Sequence, residues 1–392
     1  MTSYPARITI DLAAIRSNVA AIAERTSAAV MTIVKADGYG HGLVPVARNA
    51  IAAGANWLGT AQLTEALALR RAGVTSPILA WLYAPGAPLR DCVAADIDLS
   101  VPANWALDEV VTAAHTTGKS ARIHLKVDTG MGRNGVTAAQ FPALLDAALE
   151  AAASGAVQVV GIWSHLACAD HPEHPANFAQ LEAFRAAITQ AEEAGAQLEV
   201  RHLANSAATL LSPEYHFDLV RPGLATYGLS PAPHRGSPTD FGLRPAMTLS
   251  AELALVKPVD AGQGVSYDLT YTTDRATTLG VVPLGYGDGI LRAASNSAAV
   301  QLLIGSRGPA SVSSPTPIAG RICMDQFVVD LGPDSPARAG DAVILFGPGD
   351  HGEPTAQDWA QASNTISYEV ITRLGPRIKR IYENDVPHSV TE

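Results

Sequence analysis

Short apolar runs alternate with longer stretches of helical spacing through the first two-thirds of the chain. The runs fall at 31–35, 56–59, 77–81, 97–101, 122–127, 157–164, 200–203 and 219–220. Between most of them lie Ala-, Leu- and Glu-rich stretches with apolar residues every three or four positions, clearest at 61–72, 104–116, 138–153 and 178–194. Gly73, Gly118, Gly155 and Gly195 stand where these helices should stop. Eight strand-helix alternations predict an α/β fold, a closed (β/α)8 barrel in preference to a doubly wound sheet, with its chemistry at the C-terminal ends of the strands. Lys35, Lys126, His165, Asn205 and Arg221 all fall at or just after such ends.

The texture changes near Arg244 and Pro245. Apolar runs at 249–256, 277–284, 300–304, 311–313, 318–322, 327–331 and 342–346 are separated by Gly, Pro, Asp and Ser. This predicts a mainly β, antiparallel domain with one late helix near 356–374. The expected division is therefore a barrel over 1–245 and a β domain over 246–392, with the first strand, near 7–12, free to join the β domain.

Composition agrees with two folded domains. The chain has 392 residues, 47% hydrophobic and 16% charged, which describes a globular protein with a large interior. A net charge of -10 does not suggest a nucleic-acid partner or an anionic membrane surface. Cys92, Cys168 and Cys323 are odd in number and form no CxxC pair, so neither a disulfide framework nor a zinc knuckle is expected. With no apolar leader-like run and no 18-residue apolar segment, the expectation is a soluble cytoplasmic protein.

The candidate chemistry begins at Lys35, which closes an apolar run and precedes Ala-Asp-Gly-Tyr-Gly-His-Gly, residues 36–42. An amine drawn out of water has a depressed pKa and becomes a nucleophile suited to a Schiff base; a lysine snorkelling to solvent is the plain alternative. Tyr39 offers a hydroxyl beside it. In Leu125-Lys-Val-Asp-Thr-Gly-Met-Gly-Arg-Asn-Gly135 a second lysine, Lys126, ends a strand and a glycine-rich loop presents Arg133. Backbone close to an anionic or planar ligand fits this stretch, as does a βα loop with an N-cap at Thr137. Ser206 and the amides of Gly223 and Leu224 lie at the tops of the last strands, where barrels bind phosphate, with Arg221 aimed into the mouth. In the β domain Tyr267, Tyr286, Met324, Asp325 and Tyr368 stand beside turn glycines or a helix.

Two further patterns point elsewhere. Gly347-Pro-Gly-Asp-His-Gly352 matches GxGxxG, yet no parallel strand follows its helix, so a dinucleotide site is not expected. Asp170-His-Pro-Glu-His174 looks like a metal-ligand cluster, but prolines after both histidines deny it helical spacing, and no metal is expected there.

Together these stretches, from Val34 through Val370 in consistent order, resemble the alanine racemase family, pyridoxal-phosphate enzymes of fold type III. The resemblance implies the following roles. Lys35 holds pyridoxal 5'-phosphate covalently. Tyr39, Ser206, Gly223, Leu224 and Tyr368 surround the phosphate, and Asn205 and His165 are cofactor contacts. Arg221 faces the pyridine nitrogen, and because an arginine keeps its proton, the ring is a weaker electron sink and transamination is disfavoured. Lys35 and Tyr267 are the two bases on opposite faces of the α-carbon, Tyr267 arriving from the second subunit of a homodimer. Arg133, Tyr286, Met324 and Asp325 form the substrate-carboxylate region, and Lys126 is the position carbamylated in the family. The implied activity is interconversion of L- and D-alanine, with D-alanine supplied for peptidoglycan. A fold-type III decarboxylase, a broad-specificity racemase and a non-catalytic pyridoxal-phosphate carrier are the alternatives. The Tyr267 and Met324-Asp325 patterns, Lys126, and residues 246–392 respectively weigh against them.

Overall fold

The computed structural model describes residues 4–304 and 311–386. They form two compact units: one of Ile15–Gly38 and Leu43–Leu243, the other of residues 4–14, Tyr39–Gly42 and 244–386. After β1 (Ala6–Asp11), which belongs to the second unit, the first unit holds eight strands. They are β2 (Ala29–Ile33), β3 (Trp57–Gln62), β4 (Ile78–Leu82), β5 (Asp98–Val101), β6 (Ala121–Lys126), β7 (Val157–Trp163), β8 (Val200–His202) and β9 (Leu219–Val220).

These strands pair in parallel in the order β8-β7-β6-β5-β4-β3-β2-β9. Across the seam, the Arg221 amide donates to the Ala204 carbonyl (2.9 Å) and that of Asp218 to the Arg201 carbonyl (3.1 Å), which nearly completes the ring. This is the barrel that the alternating runs predict. Its strands are covered on both faces, which is why they read as unbroken apolar runs and not as alternating ones. Gly73, Gly118, Gly155 and Gly195 follow helices ending at Arg71, Thr117, Ala153 and Glu193, each with positive φ.

The barrel interior is not purely aliphatic. His124 on β6 meets the Trp57 ring of β3 edge-on at 5.6 Å, a contact that only inward-facing side chains of separated strands can make. His202 stacks on Trp163 (5.4 Å, 8°) and Trp81 meets Trp163 edge-on (5.9 Å). The register of β6 on β7 shifts between Ile123 and His124, a bulge that sets Gly161 opposite His124.

The second unit contains β10 (Met247–Glu252), β11 (Leu255–Val259), β12 (Gly264–Val265), β13 (Tyr271–Thr272), β14 (Thr277–Val282), β15 (Ala299–Ile304), β16 (Ser311–Val312), β17 (Thr316–Pro317), β18 (Phe327–Asp330), β19 (Ala342–Phe346) and β20 (Lys379–Glu383). One sheet runs β16-β15-β19-β10-β1-β20 with β17 beside β15; a second is β11-β14-β18, and β12 and β13 form a hairpin.

Several expectations need correction here. The pairing of β1 with β20 is parallel, where an antiparallel domain was expected. The run 249–256 is two strands in two sheets: the Leu253 amide still donates to Asp341, but that of Ala254 donates to Val281 on β14. Within 318–322 only Ile318 bridges a strand, because Gly320 turns the chain at φ 80°. The late helix is two, Ala356–Ala362 and Ser367–Thr372, divided where Asn364 takes a left-handed conformation.

Candidate active site

Lys35 stands two residues beyond the end of β2 and is half-buried. Burial pushes its amine below the ordinary lysine range, the Arg133 charge pushes the same way, and Glu65 opposes both. The residues that follow wind left-handed, with φ of 52° at Ala36, 54° at Asp37, 61° at Gly38, 52° at Tyr39 and 79° at Gly40. Each L-residue in this conformation costs about 1–2 kcal/mol. The turn is pinned by Glu65, which accepts from the Ala36 amide (2.6 Å), and by Asp37, which accepts from the Leu43 amide (2.8 Å). Gly40 has no substitute, since a Cβ there would lie 2.4 Å from the Ile371 carbonyl oxygen.

Lys126 ends β6 fully inside the barrel, its Nζ 3.6 Å from the centre of the Trp163 ring. Burial, then Arg221 and Arg133, hold its pKa well below the usual value against the pull of Asp128. The loop that follows folds back on the strand: the Asp128 amide donates to the Val136 carbonyl and the Val136 amide to that of Lys126, both at 2.9 Å. Asp128 Oδ1 gathers the amides of Gly130, Met131 and Gly132 at 3.0–3.2 Å, leaving Arg133 on the exposed part of the loop. The next helix starts at Phe141 with Gln140 as its N-cap, so Thr137 is not the cap that the sequence suggests; its hydroxyl donates to Gln140 Oε1 (3.0 Å).

Arg221, just past β9, is buried and donates to the carbonyls of Ser164 (2.7 Å) and Leu203 (3.1 Å). Its remaining partners are imidazole nitrogens, Nδ1 of His202 at 3.2 Å and Nδ1 of His165 at 3.3 Å. Burial brings its pKa down to about 9, so it stays protonated at neutral pH. His165 is held well below its ordinary value by burial and then by four cations, Arg221, Lys126, Arg133 and Lys35. Ser206 begins the helix Ser206–Leu211, whose N-cap is Asn205 through its side chain and the Ala208 amide (3.1 Å). The Gly223 amide, expected to face a ligand directly, donates to Ser206 Oγ (2.8 Å), as does that of Ala225 (3.2 Å).

In the second unit, Tyr39 is buried and its ring lies 6.1 Å from that of Tyr368, on the helix Ser367–Thr372. Burial and then Tyr368 raise the Tyr39 pKa, so its hydroxyl keeps its proton. Tyr267 occupies the turn between β12 and β13 and is 69% exposed. The turn is strained, with φ of 63° at Ser266, 59° at Asp268 and 49° at Leu269. It is anchored by Ser266 Oγ donating to the Arg321 carbonyl (2.6 Å) and by Arg321 Nε on Asp268 (2.6 Å). Ser266 Oγ also lies 3.2 Å from Cys323 Sγ. Tyr286 and Met324 join the same surface: the Tyr286 amide donates to the Cys323 carbonyl (3.0 Å) and that of Gly287 to Met324 (2.8 Å). The Asp325 carboxylate accepts from Arg377 (2.8 Å).

The barrel thus gathers Lys35, Lys126, Arg133, His165, Arg221, Asn205, Ser206, Gly223 and Leu224 about the C-terminal strand ends. The second unit groups Tyr267, Tyr286, Met324 and Asp325 on one surface and pairs Tyr39 with Tyr368. Sequence reasoning missed Trp163, on whose ring Lys126 and Arg221 lie at 3.6 and 5.0 Å, and the interior residues Asp98, His124 and His202. A signal for one of these, His124, was present: Arg122, His124 and Lys126 alternate along β6, so all three face inward. In the histidine-rich stretch, His174 caps the helix Pro175–Glu193, Glu173 pairs with Arg235, and His171 stacks on His234.

The chain matches the alanine racemase N-terminal domain over residues 10–231 and the alanine racemase C-terminal domain over residues 246–382. It is 58% identical over 374 residues to the alanine racemase of Frankia casuarinae, covering 95% of each chain. The crystal structure of alanine racemase from D-cycloserine-producing Streptomyces lavendulae superposes with a TM-score of 0.94 at 53% identity, over 98% of this chain and 99% of that one. Alanine racemase from Streptomyces coelicolor gives 0.93 at 55% identity, over 97% and 98%.

Proposed function

The chain belongs to the alanine racemase family and is an amino-acid racemase; from that premise we propose that it interconverts L- and D-alanine with pyridoxal 5'-phosphate, using Lys35 and Tyr267 as bases on opposite faces of the α-carbon. One observation carries this reading. At the barrel mouth two arginines, Arg221 and Arg133, bear on a single imidazole, His165, beside the depressed amine of Lys35, and that positive charge next to a nucleophile suits an anionic, amine-reactive ligand.

The residues present fit the cofactor. A serine hydroxyl has two acceptor sites and one donor. With two amides on Ser206 Oγ, what it offers a phosphate is its hydrogen. Arg221 presents a donor without an acceptor, as a pyridine nitrogen requires, and Lys35 has the depressed amine that covalent attachment needs. When bound, the cofactor supplies an electron sink that acidifies the substrate's α C–H. Lys35 Nζ then exchanges a proton with the α-carbon on one face and Tyr267 Oη on the other, while Arg133 holds the carboxylate.

Two further parts belong to the proposal. Lys126 carries a carbamate, an anion between Arg221 and Arg133; a neutral amine is what adds carbon dioxide, and burial favours that form. Tyr267 acts in the site of a second copy, in a homodimer. The exposure of Tyr267, Leu269, Tyr286 and Met324, at 41–69%, supports a surface that a partner covers. The product would be D-alanine for peptidoglycan, made in the cytoplasm; among the described residues no helix is long and apolar enough to cross a membrane.

Incubation with L-alanine in deuterated water tests the two-base reading. Deuterium should enter the α-position as the enantiomers equilibrate. Tyr267→Phe should slow racemisation by about 10²-fold or more, with cofactor absorbance intact. Exchange without racemisation would leave one working base. No exchange by the loaded protein would point to a carrier.

A further inference from the structure

Beneath Arg221 the barrel interior holds a chain of buried polar groups that the chemistry above does not use. Arg221 Nη1 lies 3.2 Å from His202 Nδ1, His202 Nε2 lies 2.9 Å from His124 Nδ1, and His124 Nε2 lies 3.2 Å from Asp98 Oδ2. All four residues are at most 4% exposed. Asp98 is also held by Arg122 Nε at 3.1 and 3.2 Å, and Arg122 makes a bidentate pair with Glu199 at 2.8 and 2.9 Å. The chain therefore runs from the first residue of β5 to the candidate cofactor site.

Donor and acceptor chemistry permits one assignment of its protons. A guanidinium has no acceptor, so Arg221 donates to His202 Nδ1. His202 must then carry its proton on Nε2 and donate to His124 Nδ1. His124 in turn carries its proton on Nε2 and donates to the Asp98 carboxylate. Every bond points from Arg221 towards Asp98, and a proton added to either imidazole would set two donors face to face.

The surroundings are built to keep this arrangement. Gly161, brought opposite by the bulge in β7, leaves room for the His124 ring; a Cβ there would lie 2.2 Å from Nδ1. His202 is held flat against Trp163, whose Nε1 donates to Ser100 Oγ (3.0 Å). Apolar side chains would fill a barrel core without any need to satisfy four polar groups, so a network kept this complete calls for a role.

We propose that Asp98 and His124 are positioning residues of the racemase: through a one-way hydrogen-bond chain they present Nδ1 of His202 as a fixed acceptor and so orient the Arg221 guanidinium at the cofactor's ring nitrogen. This rests on the racemase reading for its consequence, although the proton arrangement itself does not.

Nitrogen-15 NMR of the histidine side chains in the holoenzyme tests it. Wild type should show His202 and His124 neutral and protonated at Nε2. Asp98→Asn, whose amide can donate or accept, should release that preference, and kcat should fall on the order of tenfold with KM little changed. Asp98→Glu should restore the Nε2 preference and part of kcat. Glu199→Gln, which removes only the outer ion pair, should leave tautomers and kcat as in wild type. A wild-type His202 protonated at Nδ1, or at both nitrogens, would overturn the proposal even if Asp98→Asn does not fold. So would a folded Asp98→Asn with unaltered kcat. Failure of wild type to racemise alanine, with the tautomers as stated, would count against the racemase reading alone.

Discussion

A lysine buried inside the barrel, with Arg221 and Arg133 nearby, is poorly accommodated as an ammonium. Burial favours the neutral amine, the form that adds carbon dioxide, and the two arginines then favour an anion over a cation in that place. This is the physical case for a carbamate on Lys126. Holoenzyme supplied with carbon-13 bicarbonate should show a carbamate resonance that Lys126→Met lacks; a wild-type spectrum without it would leave the amine unmodified. The gathering at strand ends was legible residue by residue, because a barrel directs Lys35, Lys126 and Arg221 to one end once the strands are found. The chain through His124 was less visible. Its residues come from β5, β6, β8 and the end of β9, and only the alternation of Arg122, His124 and Lys126 along one strand hinted at it.

Elements were legible where burial was uniform. Barrel strands covered on both faces stand out as apolar runs, whereas the split of 249–256 between two sheets leaves no mark in an apolar run, since either sheet buries it. The strain around Tyr267 was likewise hidden, because the turn with positive φ at Ser266, Asp268 and Leu269 is held by bonds of Ser266 and Asp268 to Arg321, more than 50 residues away. The β12–β13 hairpin that carries this turn is tied to β18 by the Tyr271 hydroxyl on Asp330. Burial and that hydrogen bond raise the Tyr271 pKa from 10.0 to about 12. The folded state thus keeps a proton that the unfolded chain loses, so the contribution is whole below pH 10 and disappears as pH rises through about 12. Urea midpoints should fall more steeply across this window in wild type than in Tyr271→Phe. Equal slopes would mean the bond contributes no linked stability.

For the whole molecule, one chain offers the two proposed bases on separate units, Lys35 on the barrel and Tyr267 on the β unit. In the proposed homodimer the exposed Tyr267 turn, with Leu269 and Met324, is the surface that a second copy would complete. If each site takes Lys35 from one copy and Tyr267 from the other, two inactive variants can complement each other. Lys35→Ala and Tyr267→Phe, purified separately, unfolded and refolded together in equal amounts, should recover roughly a quarter of wild-type racemisation, because half the dimers are mixed and each has one intact site. Recovery no greater than the sum of the two variants alone, in dimers shown to be mixed, would contradict a two-base site shared between subunits.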